Sequence, residues 1–454
     1  MAHHARRKRS NYKNSIFILT AVLAILVLFA LGIKFRDTDP ELRVPIETTT
    51  SPSTEEAPTT QTPVPTTEPT EPPVTLLSTA KISAMGDMLM HLPCIEAAKV
   101  SDGYDFTPFF RYLQDYIRQA DYAVANLETT LAGPTREYKG YPNFNCPDEI
   151  VSSLQSVGFD MLLTANNHCY DTGTKGYHRT QEILTAAGMD YIGSVPNEET
   201  PQYLIKDVNG ISIGMICYTY EDNSDPNVVA PNGTPMKDAD ETLINSFNVN
   251  ELETFYQRIE GQINEMKDKG AEALVLYIHW GVEYQVKENQ TQNAIAQKMC
   301  DLGIDVIVGG HPHVIQPMEL LTSGTDESHK TLCLYSTGNA LSNQRRDLMN
   351  LNTGHTEDGI LFNFTFAKYS DGTVRVEDAS VIPTWINKYK SSSTGKDVYD
   401  IYPLDTQIED WKTQMDMSDS TEKKARESYD RTMKIVAEGM EQIENYLESL
   451  PPIE

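Results

Sequence analysis

The chain has 454 residues, with 37 basic and 65 acidic side chains and a formal net charge of −28. That length is enough to bury a large core, as one big domain or two ordinary ones. So acidic a surface repels phosphate backbones, which excludes nucleic acid as a partner; a polyanionic ligand would need a local cation, from metal or clustered arginine.

Residues 1–14 form a basic tail: Arg6, Arg7, Lys8, Arg9 and Lys13 precede the first acidic residue and leave 32 basic against 65 acidic groups in the remainder. Ser15 to Ile33 is an unbroken run of apolar and small residues. As a helix rising ~1.5 Å per residue it spans about 28 Å, close to a bilayer core. The preceding basic cluster predicts a single-pass anchor in the cell membrane, with the N-terminus cytoplasmic and the main domain extracytoplasmic. A cleaved signal peptide is the competing reading, but the run is long for one and no small-x-small site follows. Residues 34–78 are rich in Thr, Pro and Glu and predict a disordered linker, extended by proline and self-repelling charge to on the order of 100 Å. Six scattered cysteines (Cys94, Cys146, Cys169, Cys217, Cys300, Cys333) read as buried thiols, with pairing left open.

Order is expected from residue 79 to 403. Hydrophobic periodicity predicts a strand at Lys81–Met85, a helix at Phe109–Ala120, a strand at Tyr122–Ala125 and a helix over Asp148–Val157 capped by Asp148. A strand at Phe159–Thr164 and a helix at Thr174–Ala187 follow. Leu204–Val208 and Ile211–Tyr218, joined by Asn209-Gly210, predict a hairpin. Glu221–Asn250 reads as an irregular surface excursion. A helix at Glu251–Lys269, a strand at Ala273–Ile278, a helix at Gln290–Leu302 and a strand at Ile304–Val308 come next. Four further strands are predicted at Met318–Leu321, Thr331–Tyr335, Gly359–Ala367 and Thr373–Ile382. Alternation first and antiparallel strands later indicate a mixed α/β sandwich. Residues 404–454 form a charged helical segment with a thin apolar stripe, Val436, Met440, Ile443 and Leu447.

Five of these strands end in groups suited to metal: Asp87, Glu128, Asn167 with His168, His279, and His311 with His313. In an open α/β sheet the carboxyl ends of strands face one crevice, so the groups converge. Each alone has a plain structural explanation, such as a cap, an ion pair or a satisfied core histidine; five together point to a site.

Gly86-Asp87, Asn126-Leu127-Glu128, Asn166-Asn167-His168 with Asp171, His279-Trp280-Gly281 with Glu283-Tyr284, and Gly310-His311-Pro312-His313-Val314 resemble the motif series of the CapA family. These are bacterial capsule or poly-γ-glutamate synthesis proteins related to calcineurin-like metallophosphoesterases. The resemblance implies a four-layer αββα metallophosphoesterase-like sandwich holding one or two divalent metal ions, with Mn, Fe and Zn all suited to the donors. By motif, Asp87 binds a first metal together with His313, Glu128 bridges, Asn167, His279 and His311 bind a second, and His168 is the catalytic proton donor. Where the phosphoesterases have Asp-x-His, this chain has Asp87-Met88-Leu89, so the first position lacks a ligand; His91 fills it only if its loop folds back.

Arg345 and Arg346 are candidate anion-binding residues, and Trp280 a candidate stacking platform for substrate. Cys169, next to His168, reads as a packed residue rather than a nucleophile. The expected function is assembly of poly-γ-glutamate capsule or another envelope polymer by a metal-dependent phosphoesterase-like hydrolase site. The alternative is a non-catalytic component that binds, exports or anchors polymer through the same pocket. The polymer and membrane-bound synthesis or export proteins are the expected partners.

Overall fold

The computed structural model describes residues 73–451 apart from 223, 224, 226, 350 and 352. The basic tail, the 15–33 run and almost all of the linker lie outside the described residues. Among those described, no helix is long and apolar enough to cross a membrane.

The first half alternates strand and helix: β1 (Leu76–Leu89), α1 (Leu92–Ala97), β2 (Tyr122–Glu128), α2 (Glu149–Val157), β3 (Met161–Leu163), α3 (Gly173–Ala187) and β4 (Asp190–Ile192). Then come β5 (Leu204–Val208), β6 (Ile211–Tyr220), β7 (Ser246–Phe247), α4 (Leu252–Asp268), β8 (Ala273–His279), α5 (Gln290–Asp301) and β9 (Val306–Gly310). The rest is β10 (Ile315–Thr322), β11 (Lys330–Thr337), β12 (Asn339–Leu341), β13 (Asp358–Tyr369), β14 (Val374–Lys390), β15 (Asp397–Pro403) and α6 (Asp419–Ser449). One sheet runs β15-β14-β13-β1-β2-β3-β4 with β12 beside β1; the other runs β10-β11-β9-β8-β6-β5 with β7 beside β6.

The two sheets pack face to face. On β13 the period of two sends Phe362, Phe364 and Phe366 into a shared core with Ile82 of β1 and Met215, Val275 and Tyr277 of the second sheet. Leu361 turns the other way, toward Ile150 and Leu154 of α2. On the far side, Phe255 and Ile259 of α4 and Ile295 and Met299 of α5 cover Ile216, Leu276 and Ile307. The mixed α/β arrangement and the hairpin are as expected: Val208 pairs with Ile211, and Asn209 and Gly210 both have positive φ (54° and 83°), as a type I′ turn requires. All six cysteines are buried and unpaired.

Several expectations are corrected. The first strand begins at Leu76, inside the stretch assigned to the linker, because β1 extends backwards to pair with β13 (Leu76 with Tyr369). Phe109–Ala120 is not one helix but a 3-10 turn, Thr107–Phe110, and a short helix, Gln114–Ile117. Two short turns bury Phe109, Leu113 and Ile117 as well as a continuous helix would. Asp148 makes no side-chain cap; its two oxygens accept from Arg179 at 2.7 and 2.6 Å instead. Four strands carried no clear signal in the sequence. β4 and β12 have three residues each and β7 two, too few to show alternation, and β15 hides behind a serine-rich loop although Tyr399 and Ile401 are fully buried.

The C-terminal stripe does not stand apart. Val436, Met440 and Ile443 of α6 complete the core between the sheets. Arg431 grips Asp358 of β13 through two bonds of 2.8 and 2.7 Å. Gly439 lies flat on β10, where a Cβ would sit 2.0 Å from the carbonyl oxygen of Met318. Helix propensity favours alanine there by about 1 kcal/mol, but the obstacle is backbone and cannot swing aside. Gly439→Ala is therefore expected to lose about 1–3 kcal/mol and to lower the thermal midpoint; a raised midpoint would show that the helix is not seated this way.

Candidate metal centre

The site lies where the carboxyl ends of both sheets meet. β1 and β2 deliver Asp87 and Glu128, the turn after β3 delivers Asn167 and His168, β8 ends in His279, and the turn after β9 carries His311 and His313. All seven side chains are buried. Gly86 makes the junction possible: a Cβ there would lie 1.9 Å from the carbonyl oxygen of Gly338, which instead accepts the Asp87 amide at 3.1 Å. His311 and His313 adopt φ of 95° and 55°. Non-glycine residues pay about 1–3 kcal/mol each for such backbone, so the turn is held in place by what surrounds it and fixes the aim of both rings.

Asp87 is the anchored carboxylate. Its Oδ1 accepts from Asn126 Nδ2 at 2.8 Å, and its Oδ2 accepts the His311 amide at 3.1 Å and lies 3.2 Å from His313 Nδ1. Asn166 Nδ2 donates to Asn126 Oδ1 at 3.0 Å and so ties the turn after β3 to the end of β2. His279 Nε2 lies 2.9 Å from Asn167 Oδ1 and 3.6 Å from Glu128 Oε1. His313 Nε2 lies 3.7 Å from Glu128 Oε1.

Glu128 is different. It is fully buried, and neither carboxylate oxygen has a hydrogen-bond partner; His311 Nδ1 is orphaned in the same way. Burial, then the charges of Asp87, Glu283 and Asp171, push the Glu128 carboxyl well above its usual range. Burial and the neighbouring histidines push His279 and His311 well below theirs, so both rings are neutral, as ligands must be. Asp87, Glu128 and His279 bring donor atoms within 4.8 Å of one another. An orphaned carboxylate among neutral imidazoles and an amide oxygen fits a divalent cation.

His168 stands beside this set. Its Nδ1 donates to Asp171 Oδ2 at 2.8 Å, and Phe144 packs edge-on at 4.6 Å while its amide donates to the same carboxylate oxygen at 2.7 Å. Asn232 Nδ2 also reaches Asp171, at 3.4 Å. Asn232 belongs to the excursion read as irregular surface and carried no signal in the sequence. Tyr220, 4.6 Å from His311, and Asn339, whose Oδ1 lies 3.2 Å from His313 Nδ1, were also missed.

The structure corrects the substrate candidates. Arg345 and Arg346 both bond to Glu357, at 3.2 and 2.8 Å, and Arg345 also donates to the Ile386 carbonyl. Trp280 is buried, stacks on Tyr335 and donates to its carbonyl at 2.8 Å. His91 is not among the residues whose donor atoms cluster: its Nδ1 lies 3.1 Å from the Leu89 carbonyl oxygen and 3.2 Å from the Asn343 amide nitrogen, and burial lowers its pKa to about 4.

Residues 81–344, more than half of the chain, match the family described as bacterial capsule synthesis protein PGA_cap. The chain belongs to that family. It is 28% identical over 271 residues to the capsule biosynthesis protein CapA of Bacillus anthracis, an alignment covering 58% of this chain and 60% of that one. It is 25% identical over 358 residues to the PGA biosynthesis protein CapA of Bacillus subtilis (strain 168), covering 76% and 84%. The crystal structure of TT1561 of Thermus thermophilus aligns with a TM-score of 0.32 and 9% identity over 63% of this chain and 94% of that one, too slight a likeness to bear on fold or function.

Replacing Glu128 tests the centre directly. At a hundredfold excess over Kd a bound metal adds about 2.7 kcal/mol to the stability of the wild type. Glu128→Gln is expected to leave the metal-free protein at least as stable and to abolish that gain. Thermal unfolding with chelator and with Mn2+ measures both, and a variant that keeps the wild-type metal shift would rule out Glu128 as a ligand.

Proposed function

We propose that this protein acts in assembly of a capsule or envelope polymer of the poly-γ-glutamate type, as a metal-dependent hydrolase on a phosphate ester or a polymer linkage. The observation that supports chemistry rather than passive binding is the His168–Asp171 pair beside an orphaned buried carboxylate. Asp87, Glu128, Asn167, His279, His311 and His313 would hold the cations. Divalent cations bound there supply positive charge to a substrate oxygen and lower the pKa of water.

The remaining steps fall to the chain. Asp171 keeps the His168 proton on Nδ1, so Nε2 is the atom that exchanges a proton with a leaving oxygen. Phe144 and Asn232 hold the pair in register. A cleft of about 540 Å3 opens beside the centre between Tyr220, Asp222, Gly281 and Val282, with room for the substrate beyond the reacting bond. Residues 15–33 would anchor the chain in the membrane with this domain outside, close to membrane-bound synthesis or export partners.

The test is a panel of phosphomonoesters, phosphodiesters and γ-glutamyl polymer offered to the full chain with Mn, Fe or Zn. Turnover is expected, reduced about 10²–10⁴-fold by His168→Ala and lost in His279→Ala. Turnover that survives both substitutions would refute a hydrolase acting through this site. Polymer binding without turnover would leave the pocket a guide for polymer rather than a catalyst.

A further inference from the structure

The family resemblance divides the donors unequally between two positions, with Asn167, His279 and His311 at one, Asp87 and His313 at the other, and Glu128 shared. Both His279 Nε2 and His313 Nε2 lie near the same Glu128 oxygen, at 3.6 and 3.7 Å. Leu89, two residues past Asp87 and paired in register with Glu128 itself, offers no donor atom.

A carboxylate reaches the poorer position from elsewhere. Glu283 Oε1 lies 3.9 Å from His313 Nε2, the same nitrogen that is 3.7 Å from Glu128 Oε1. Donors sharing one cation with bonds of about 2.0–2.2 Å stand about 3–4 Å apart. His313 Nδ1 faces Asp87 and Asn339, so Nε2 is the ring atom turned to both glutamates. The placement is built in. Tyr284, the next residue, has a left-handed φ of 64°, and its amide donates to the Pro312 carbonyl at 2.8 Å. That bond ties the turn bearing Glu283 to the turn bearing His311 and His313. The Glu283 side chain is 42% exposed, so it approaches from the solvent side while the other donors are sealed in.

We propose that Glu283 is a ligand of the first metal position, entering from the mouth of the site and standing in for the histidine that Leu89 cannot supply. The inference rests on the two-cation reading above. The second position keeps a fully buried set of donors, and the first is closed by a ligand in contact with water.

Equilibrium dialysis of the full chain against Mn2+, followed by metal analysis, tests it without any assay of turnover. The wild type is expected to hold two equivalents. Glu283→Gln and Glu283→Ala are expected to keep one at unchanged affinity and to weaken the other about tenfold or more. Equal midpoints of metal-free unfolding would show that the variants are folded. Two equivalents at wild-type affinity in both variants would overturn the assignment and leave the two-cation reading standing. Equal weakening of both equivalents would also overturn it, since that is the effect of a nearby charge and not of a ligand. A wild type holding one equivalent or none would overturn both.

Discussion

The centre of this molecule is organised by a carboxylate with nowhere to go. Glu128 ends a strand held between β1 and β3, is closed off from water, and has no hydrogen bond to either oxygen. An ion so placed costs several kcal/mol even after its surroundings relax. Its ion-pair neighbours among the described residues are histidines, and burial disfavours the charged form of His279. The carboxyl must therefore keep a proton or receive a cation from outside.

The rest of the site follows from bringing two sheets to one point. Gly86 lets the Gly338 carbonyl come against β1, and that contact carries the first sheet to the second just where Asp87 begins to bond. Asp87 then accepts the His311 amide, so the first carboxylate positions the backbone that aims both histidines. Tyr284, His311 and His313, three of the non-glycine residues with positive φ, sit in the two turns that face the donors. Strain gathered there is the local expense of precise aim.

How far the sequence predicted this depended on the length over which each signal acts. Strands that carry donors were visible because apolar runs such as Ala273–Ile278 stop at a polar residue, and the ends of such runs converge by topology. Asn167, His279, His311 and the rest are brought together accordingly. What the sequence hid was either short or set by partners far along the chain. Glu283 was quoted as part of a motif, but its approach to His313 depends on a left-handed tyrosine and one backbone bond. Asn232 reached Asp171 from a segment with no periodicity. Arg345 and Arg346 looked free because Glu357, which holds both, lies beyond a polar loop.

The C-terminal helix has a consequence for how the protein comes into being. β1, at the middle of the first sheet, pairs with β13 nearly three hundred residues later, and the core between the sheets closes only when Val436 and Ile443 arrive. Contacts so remote in sequence make folding slow, because long loops must close before burial rewards them. A growing chain thus passes the longest part of its synthesis with β1 paired to β2 but not to β13, and with the core between the sheets incomplete. The core between the sheets is complete only once α6 has docked, so the domain depends on its last helix.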